Sequence, residues 1–146
     1  MSERYDEPNR VARAGSAVIR WFAESGVSIL GTQALRVRGR TSGVMRSVVI
    51  NLMTVDGVDY LVSPRGNTQW ARNARAAGEV ETGPRWRRRG ARITELSDGA
   101  KAPILKEYLD RWYWQVKGYV GGLTPQSTAA EMTAVAPTIP VFVLAR

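Results

Sequence analysis

Apolar positions along the chain keep two different periods, and the switch between them marks out the elements. Val11, Ala14, Val18, Trp21 and Phe22 fall on one face of a helix over residues 10–25, with Arg13, Ala17, Arg20 and Glu24 opposite, and Gly26 ends it. The period then shortens to two. Leu35 and Val37 alternate with Arg36 and Arg38 up to a turn at Gly39–Gly43. Arg46 to Val55 is a second, largely apolar run, and Asp56-Gly57 is a two-residue hairpin signal leading into a strand over Val58–Ser63. After a loop at Pro64–Thr68, the Ala-rich stretch Gln69–Ala77 closed by Gly78 predicts a short helix. Glu79–Thr82 and Trp86–Leu96 then predict two strands joined through Gly83-Pro84.

A longer helical pattern follows. Ser97-Asp98 forms a start signal, and Ile104, Leu105, Tyr108, Leu109, Trp112 and Val116 make the core face of a helix over about residues 98–117. Lys106/Asp110 and Glu107/Arg111 pair at i,i+4 on its outside. Gly118, Gly121, Gly122 and Pro125 break it, a short helix over Thr128–Val135 follows, and Ile139–Leu144 reads as a last strand with Pro140 near its start. Five or six mostly antiparallel strands with few helices predict an α+β chain built on a small barrel. At 146 residues the chain is expected to be a single domain over 1–146, with residues 1–9 flexible.

Charge changes the picture. From Arg36 to Arg92 there are twelve arginines, no lysine and four acids (Asp56, Asp59, Glu79, Glu81), so this segment carries the whole net charge of +8 and the rest of the chain balances to zero. Arginine's planar fork pairs bidentately with phosphate and carboxylate, so an anionic partner is expected. The segment Gly39-Arg40-Thr41-Ser42-Gly43-Val44-Met45-Arg46 concentrates glycines, hydroxyls and guanidiniums suited to gripping such an anion.

The chemistry is bounded by absences. With no His and no Cys there is no Ser-His-Asp triad, no thiolate nucleophile, no disulfide and no typical zinc site. No GxxxxGK[ST] or GxGxxG motif occurs. What remains is an arginine-lined, glycine-interrupted barrel with five Trp and five Tyr, equipped to hold a large anionic aromatic molecule that brings its own reactivity. No stretch approaches the roughly 18–20 apolar residues of a membrane span. The polar, acidic start Ser2-Glu3-Arg4-Tyr5-Asp6-Glu7-Pro8 is unlike a signal peptide, so a cytoplasmic address is expected. The first helix is read as core-packing, with peripheral membrane contact the weaker reading.

Taken in order, Gly39-Arg40-Thr41-Ser42-Gly43-x-x-Arg46, Asp56-Gly57, Tyr60-Leu61-Val62-Ser63-Pro64-Arg65-Gly66, Gln69-Trp70-x-x-Asn73-x-x-Ala76 and Thr138-Ile139-Pro140-Val141 resemble the deazaflavin-dependent nitroreductase family over about residues 30–145. The resemblance implies a split β-barrel of about six strands, with an N-terminal helix and a long helix before the last strand. It implies coenzyme F420 as hydride carrier, with FMN as the alternative cofactor of related barrels. Arg40, Thr41, Ser42, Gly43 and Arg46 would take the coenzyme's phosphate and polyglutamate tail. Ser63, Pro64, Arg65 and Gly66 would line the ring and supply backbone donors, and Trp70 and Asn73 would close the pocket beside it. Thr41 stands where many members have Lys, so a hydroxyl replaces a point charge.

Tyr113 and Trp114 lie off the core face of the long helix and are candidates for the substrate side. No catalytic residue and no metal ligand is assigned. The expected activity is a reductase passing hydride to an enone, quinone or nitro-type acceptor, a small molecule, from a monomer or homodimer. The alternatives are a non-catalytic carrier of F420 or FMN and, ranked third, a nucleic-acid-binding domain. Arg85-Trp86-Arg87 is the one interleave of arginine and aromatic side chains that would favour the last.

Overall fold

The computed structural model describes residues 32–84 and 86–145, so the expected helix over residues 10–25 and the segment 1–9 lie outside the described residues. Among the described residues there are seven strands: β1 (Thr32–Arg38), β2 (Met45–Asn51), β3 (Met53–Val55), β4 (Val58–Val62), β5 (Glu79–Thr82), β6 (Arg89–Glu95) and β7 (Val141–Ala145). Three α-helices accompany them among the described residues: α1 (Gln69–Ala77), α2 (Ala102–Val116) and α3 (Ala129–Val135). The strands form one sheet in the order β2-β1-β5-β6-β7-β4-β3, and every neighbouring pair is antiparallel.

That order dictates the shape. β2 and β3 stand at opposite ends of the sheet, yet only Leu52 separates them in the chain. Two Cα–Cα steps reach at most about 7 Å, so the two edges must be drawn together and the sheet must curl. β2 meets β4 across this closure, and the result is a split half-barrel. The single run expected over Arg46 to Val55 is therefore two strands, which brings the described residues to seven strands where about six were expected.

Alternation divides the apolar side chains between two cores. Leu35, Val37, Ile50, Leu61, Val80, Ala91, Phe142 and Leu144, from six strands, form one core together with Ala71 and Ala74 of α1. Their chain neighbours Val62 and Val141 face the other way, joining Met53 under Ile104, Leu105, Tyr108, Leu109 and Val116 of α2 and Met132 of α3.

Local signals explain most boundaries. Asp56 and Gly57 both take positive φ (50° and 79°), the primed turn that matches strand twist. Thr68 caps α1, and Gly78 ends it in the left-handed conformation. Thr128 and Glu131 form a reciprocal capping box at α3. Two expectations are corrected. β6 begins at Arg89, and Trp86 to Arg88 belong to a turn. The long helix begins at Ala102 after a 3₁₀ turn over Asp98–Ala100, Ser97 makes no side-chain cap, and the helix is irregular at Trp112 (φ −131°). Among the described residues, no helix is long and apolar enough to cross a membrane.

Candidate functional site

A cleft of about 370 Å³ opens where the end of β2, the loop after β4 and the last turns of α2 meet. Ser63, Pro64, Arg65, Trp70 and Trp114, five of the residues singled out from sequence, line it together. Val49, Ile50, Val62 and Val116 supply apolar wall, and Asn51, Thr68, Tyr108 and Gln115 add polar groups that local sequence patterns did not mark as functional. This mixture of aromatic wall and few polar groups, at this size, suits a planar organic molecule.

Each wall residue is held by its element. Trp70, in the first turn of α1, packs against Phe142 with ring centroids 6.0 Å apart. Ser63 is fully buried: its Oγ donates to the Gly66 carbonyl at 2.6 Å and lies 3.0 Å from Thr68 Oγ1. Arg65 stacks over the Tyr119 ring, 4.0 Å from its centroid, and the Val120 amide donates to the Pro64 carbonyl at 3.2 Å. The segment after α2 thus grips the loop after β4 at two points.

The expectation that this loop offers backbone donors to a ring is corrected in part. The Ser63 amide is committed to the Pro140 carbonyl (2.9 Å) and the Gly66 amide to the Ser63 carbonyl (3.1 Å), while Pro64 has no N–H. Gly66, at φ 101°, is there because the tight loop needs that conformation.

A polar group closes the floor. Asn51 is buried, its Nδ2 donates to Gln115 Oε1 at 2.7 Å, and it hydrogen-bonds the buried Tyr108. Burial pushes the Tyr108 phenol up to about 12, with the Asn51 hydrogen bond partly offsetting the shift, so the phenol stays protonated at neutral pH.

The basic turn lies apart from the cleft. Arg40, Thr41, Ser42, Gly43 and Arg46 are exposed and none lines it. Asn73, expected to close the pocket, is instead buried beneath this turn: its Oδ1 accepts both the Arg40 amide (3.1 Å) and Arg40 Nη1 (2.7 Å). Arg40 Nη1 also donates to Gln69 Oε1 at 2.9 Å, and Gln69 precedes Trp70, so α1 ties the turn to the cleft wall. Tyr113, expected on the substrate side with Trp114, packs half-buried against the core beneath α2 and does not line the cleft.

A larger depression of about 540 Å³ lies among Arg38, Met45, Glu79, Glu81 and Arg92. It is lined by as many glutamates as arginines and holds none of the expected residues, so the smaller cleft is the better candidate for an anionic ligand. Among the described residues no group of His, Cys, Asp or Glu could hold a metal ion.

No protein-family model matches the sequence, and no curated protein matches it. Solved structures do match in fold. A chain described as a domain-swapped dimer superposes with a TM-score of 0.56 at 17% identity, covering 92% of this chain and 96% of that one. An F420-H2 dependent reductase, FDR-A, gives 0.53 at 17% identity over 79% of this chain and 94% of that one. General Stress Protein 26 from Bacillus anthracis str. Sterne gives 0.51 at 13% identity over 91% and 87%. The seven-stranded split half-barrel of this chain is therefore a fold it shares with an F420-H2 dependent reductase.

Proposed function

We propose that this protein is an oxidoreductase that binds coenzyme F420 in the 370 Å³ cleft and passes hydride to an enone, quinone or nitro-type acceptor. The observation that carries the reading is convergence: Ser63–Arg65 after β4, Trp70 on α1 and Trp114 on α2 meet around one aromatic-walled cleft. The fold shared with an F420-H2 dependent reductase supports it.

The donor set fits such a group. Trp70 and Val62 offer flat apolar wall to a tricyclic ring, Trp114 walls the acceptor side, and Arg65, steadied by Tyr119, offers guanidinium donors at the ring's edge. Arg40, Thr41, Ser42, Gly43 and Arg46, on the exposed turn that α1 ties to the cleft wall, would take the phosphate and polyglutamate tail. Asn73 orients Arg40 from below rather than touching the coenzyme. When bound, the coenzyme supplies the hydride at its deazaflavin ring. The protein's part is to orient the acceptor beside that ring and to exclude water from the cleft.

Titration of the purified chain with oxidised F420 and, separately, with FMN tests the reading, followed by consumption of reduced F420 with a quinone and an enone. Saturable F420 binding with acceptor-dependent consumption is expected. Binding without consumption would make the protein a carrier, preference for FMN would reassign the cofactor, and binding of neither would overturn the proposal.

A further inference from the structure

The turn between β5 and β6 carries a surface that the cleft does not use. Trp86 is 71% exposed there, and Arg87, Arg88 and Arg89 follow it, all exposed. The turn is tight: the Arg87 amide donates to the Pro84 carbonyl at 3.0 Å. Gly83 sits at φ 94°, where an added Cβ would lie 2.7 Å from the Arg87 carbonyl oxygen, so only glycine allows this geometry. The indole is therefore displayed on a constrained tip rather than left to fold back on the barrel. Around it the charge is nearly all of one sign; the acid that approaches these arginines among the described residues is Glu81, 4.0 Å from Arg88.

We propose that this turn docks the protein on an anionic lipid bilayer, with the Trp86 ring at headgroup depth and Arg87, Arg88 and Arg89 on the lipid phosphates. Tryptophan prefers the boundary between water and acyl chains, where its apolar ring is buried and its N–H stays hydrated. Guanidiniums pair with phosphate oxygens and respond to the negative surface potential. A single-stranded nucleic acid would instead need a groove with successive aromatics for stacking. One exposed indole on a short turn offers neither. The proposal is independent of what the cleft binds.

The test is co-sedimentation of the full chain with vesicles of phosphatidylcholine and phosphatidylglycerol, against phosphatidylcholine alone, at low and physiological salt. Binding to the anionic vesicles alone, weakened by salt, is expected. Reversing all three arginines to Glu should weaken it at least about a hundredfold, since each arginine near the surface is worth about fivefold. Quenching of tryptophan emission by brominated anionic lipid should fall in Trp86→Ala. Since these side chains are exposed, unchanged circular dichroism is expected to show that the variants fold. Equal binding to neutral vesicles, unchanged binding in both variants, no binding at low salt, or binding to an oligonucleotide in preference to anionic vesicles would each overturn the proposal.

Discussion

Asn73 Oδ1 accepts two hydrogen bonds from Arg40, one from its amide at 3.1 Å and one from its guanidinium at 2.7 Å, so one buried side chain fixes both the backbone and the head of the basic turn's leading arginine. Arg40→Ala and Asn73→Ala should therefore differ. Removing the Arg40 side chain leaves the backbone bond in place and is expected to cost about 1–3 kcal/mol of F420 affinity with little change in stability. Asn73→Ala strips the acceptor from both donors and should reduce affinity and, by about 1–3 kcal/mol, stability as well. Coenzyme titration and urea unfolding on the same two variants separate these outcomes. Unchanged affinity in Arg40→Ala would place the anion elsewhere.

Lys101 is the buried counterpart of this exposed latch. It is 2% exposed, and its ammonium donates to the carbonyls of Ala136 and Ile139, both at 2.9 Å, and to Asp98 at 2.8 Å. Three donors meet three acceptors, so no proton of the buried ammonium is left unpaired. It pins the start of α2 to the segment entering β7. Lys101→Met keeps the bulk but orphans two carbonyls, and is expected to cost about 2–5 kcal/mol, read as a lowered urea midpoint with an unchanged slope.

The raised phenol of Tyr108 makes stability fall on the alkaline side. Its folded value is pushed up to about 12 from an ordinary 10, chiefly by burial, so the folded state holds its proton where the unfolded chain has lost it. The contribution is complete below pH 10 and is lost as pH rises from 10 to 12. About 2–3 kcal/mol is at stake over that window. In Tyr108→Phe this loss should disappear, which urea unfolding at pH 9 and near pH 12 would detect. An equal decline in both proteins would show that other groups govern it.

How much of this was legible in the sequence depended on range. α1 and β5 end where Gly78 and Gly83 say they should, and the Asp56-Gly57 hairpin is a local event, as is the Lys106–Asp110 pair at 2.6 Å. Arg36 was the first failure of alternation. It reads as the solvent-facing partner of Leu35 and Val37, yet it is 4% exposed, with Nη2 on the Gly83 carbonyl at 2.8 Å. The break at Leu52 was hidden because an apolar run carries no mark of where it must cross between sheet edges. Asn51 was missed for a related reason. A polar residue at a strand end says nothing of Gln115, which reaches it from 64 positions away. The basic turn and the Ser63–Arg65 loop could be read as chemistry, but that α1 connects them through Asn73 and Gln69 is a tertiary fact.

Tyr113 and Trp114 are adjacent in sequence and part company in the fold, so their alanine variants should dissociate function from stability. Trp114 is 61% exposed and lines the cleft, whereas Tyr113 is half-buried against the core under α2. Trp114→Ala loses little packing and should leave unfolding within about 0.5 kcal/mol of the parent. It removes a wall of the cleft, so the KM for an organic acceptor should rise while the affinity for the coenzyme tail is kept. Tyr113→Ala gives up core contact and should cost about 2 kcal/mol of stability, with kinetics near those of the parent. Thermal unfolding and acceptor kinetics on both variants decide the matter. A kinetic defect confined to Tyr113→Ala would return that side chain to the substrate side and remove Trp114 from it.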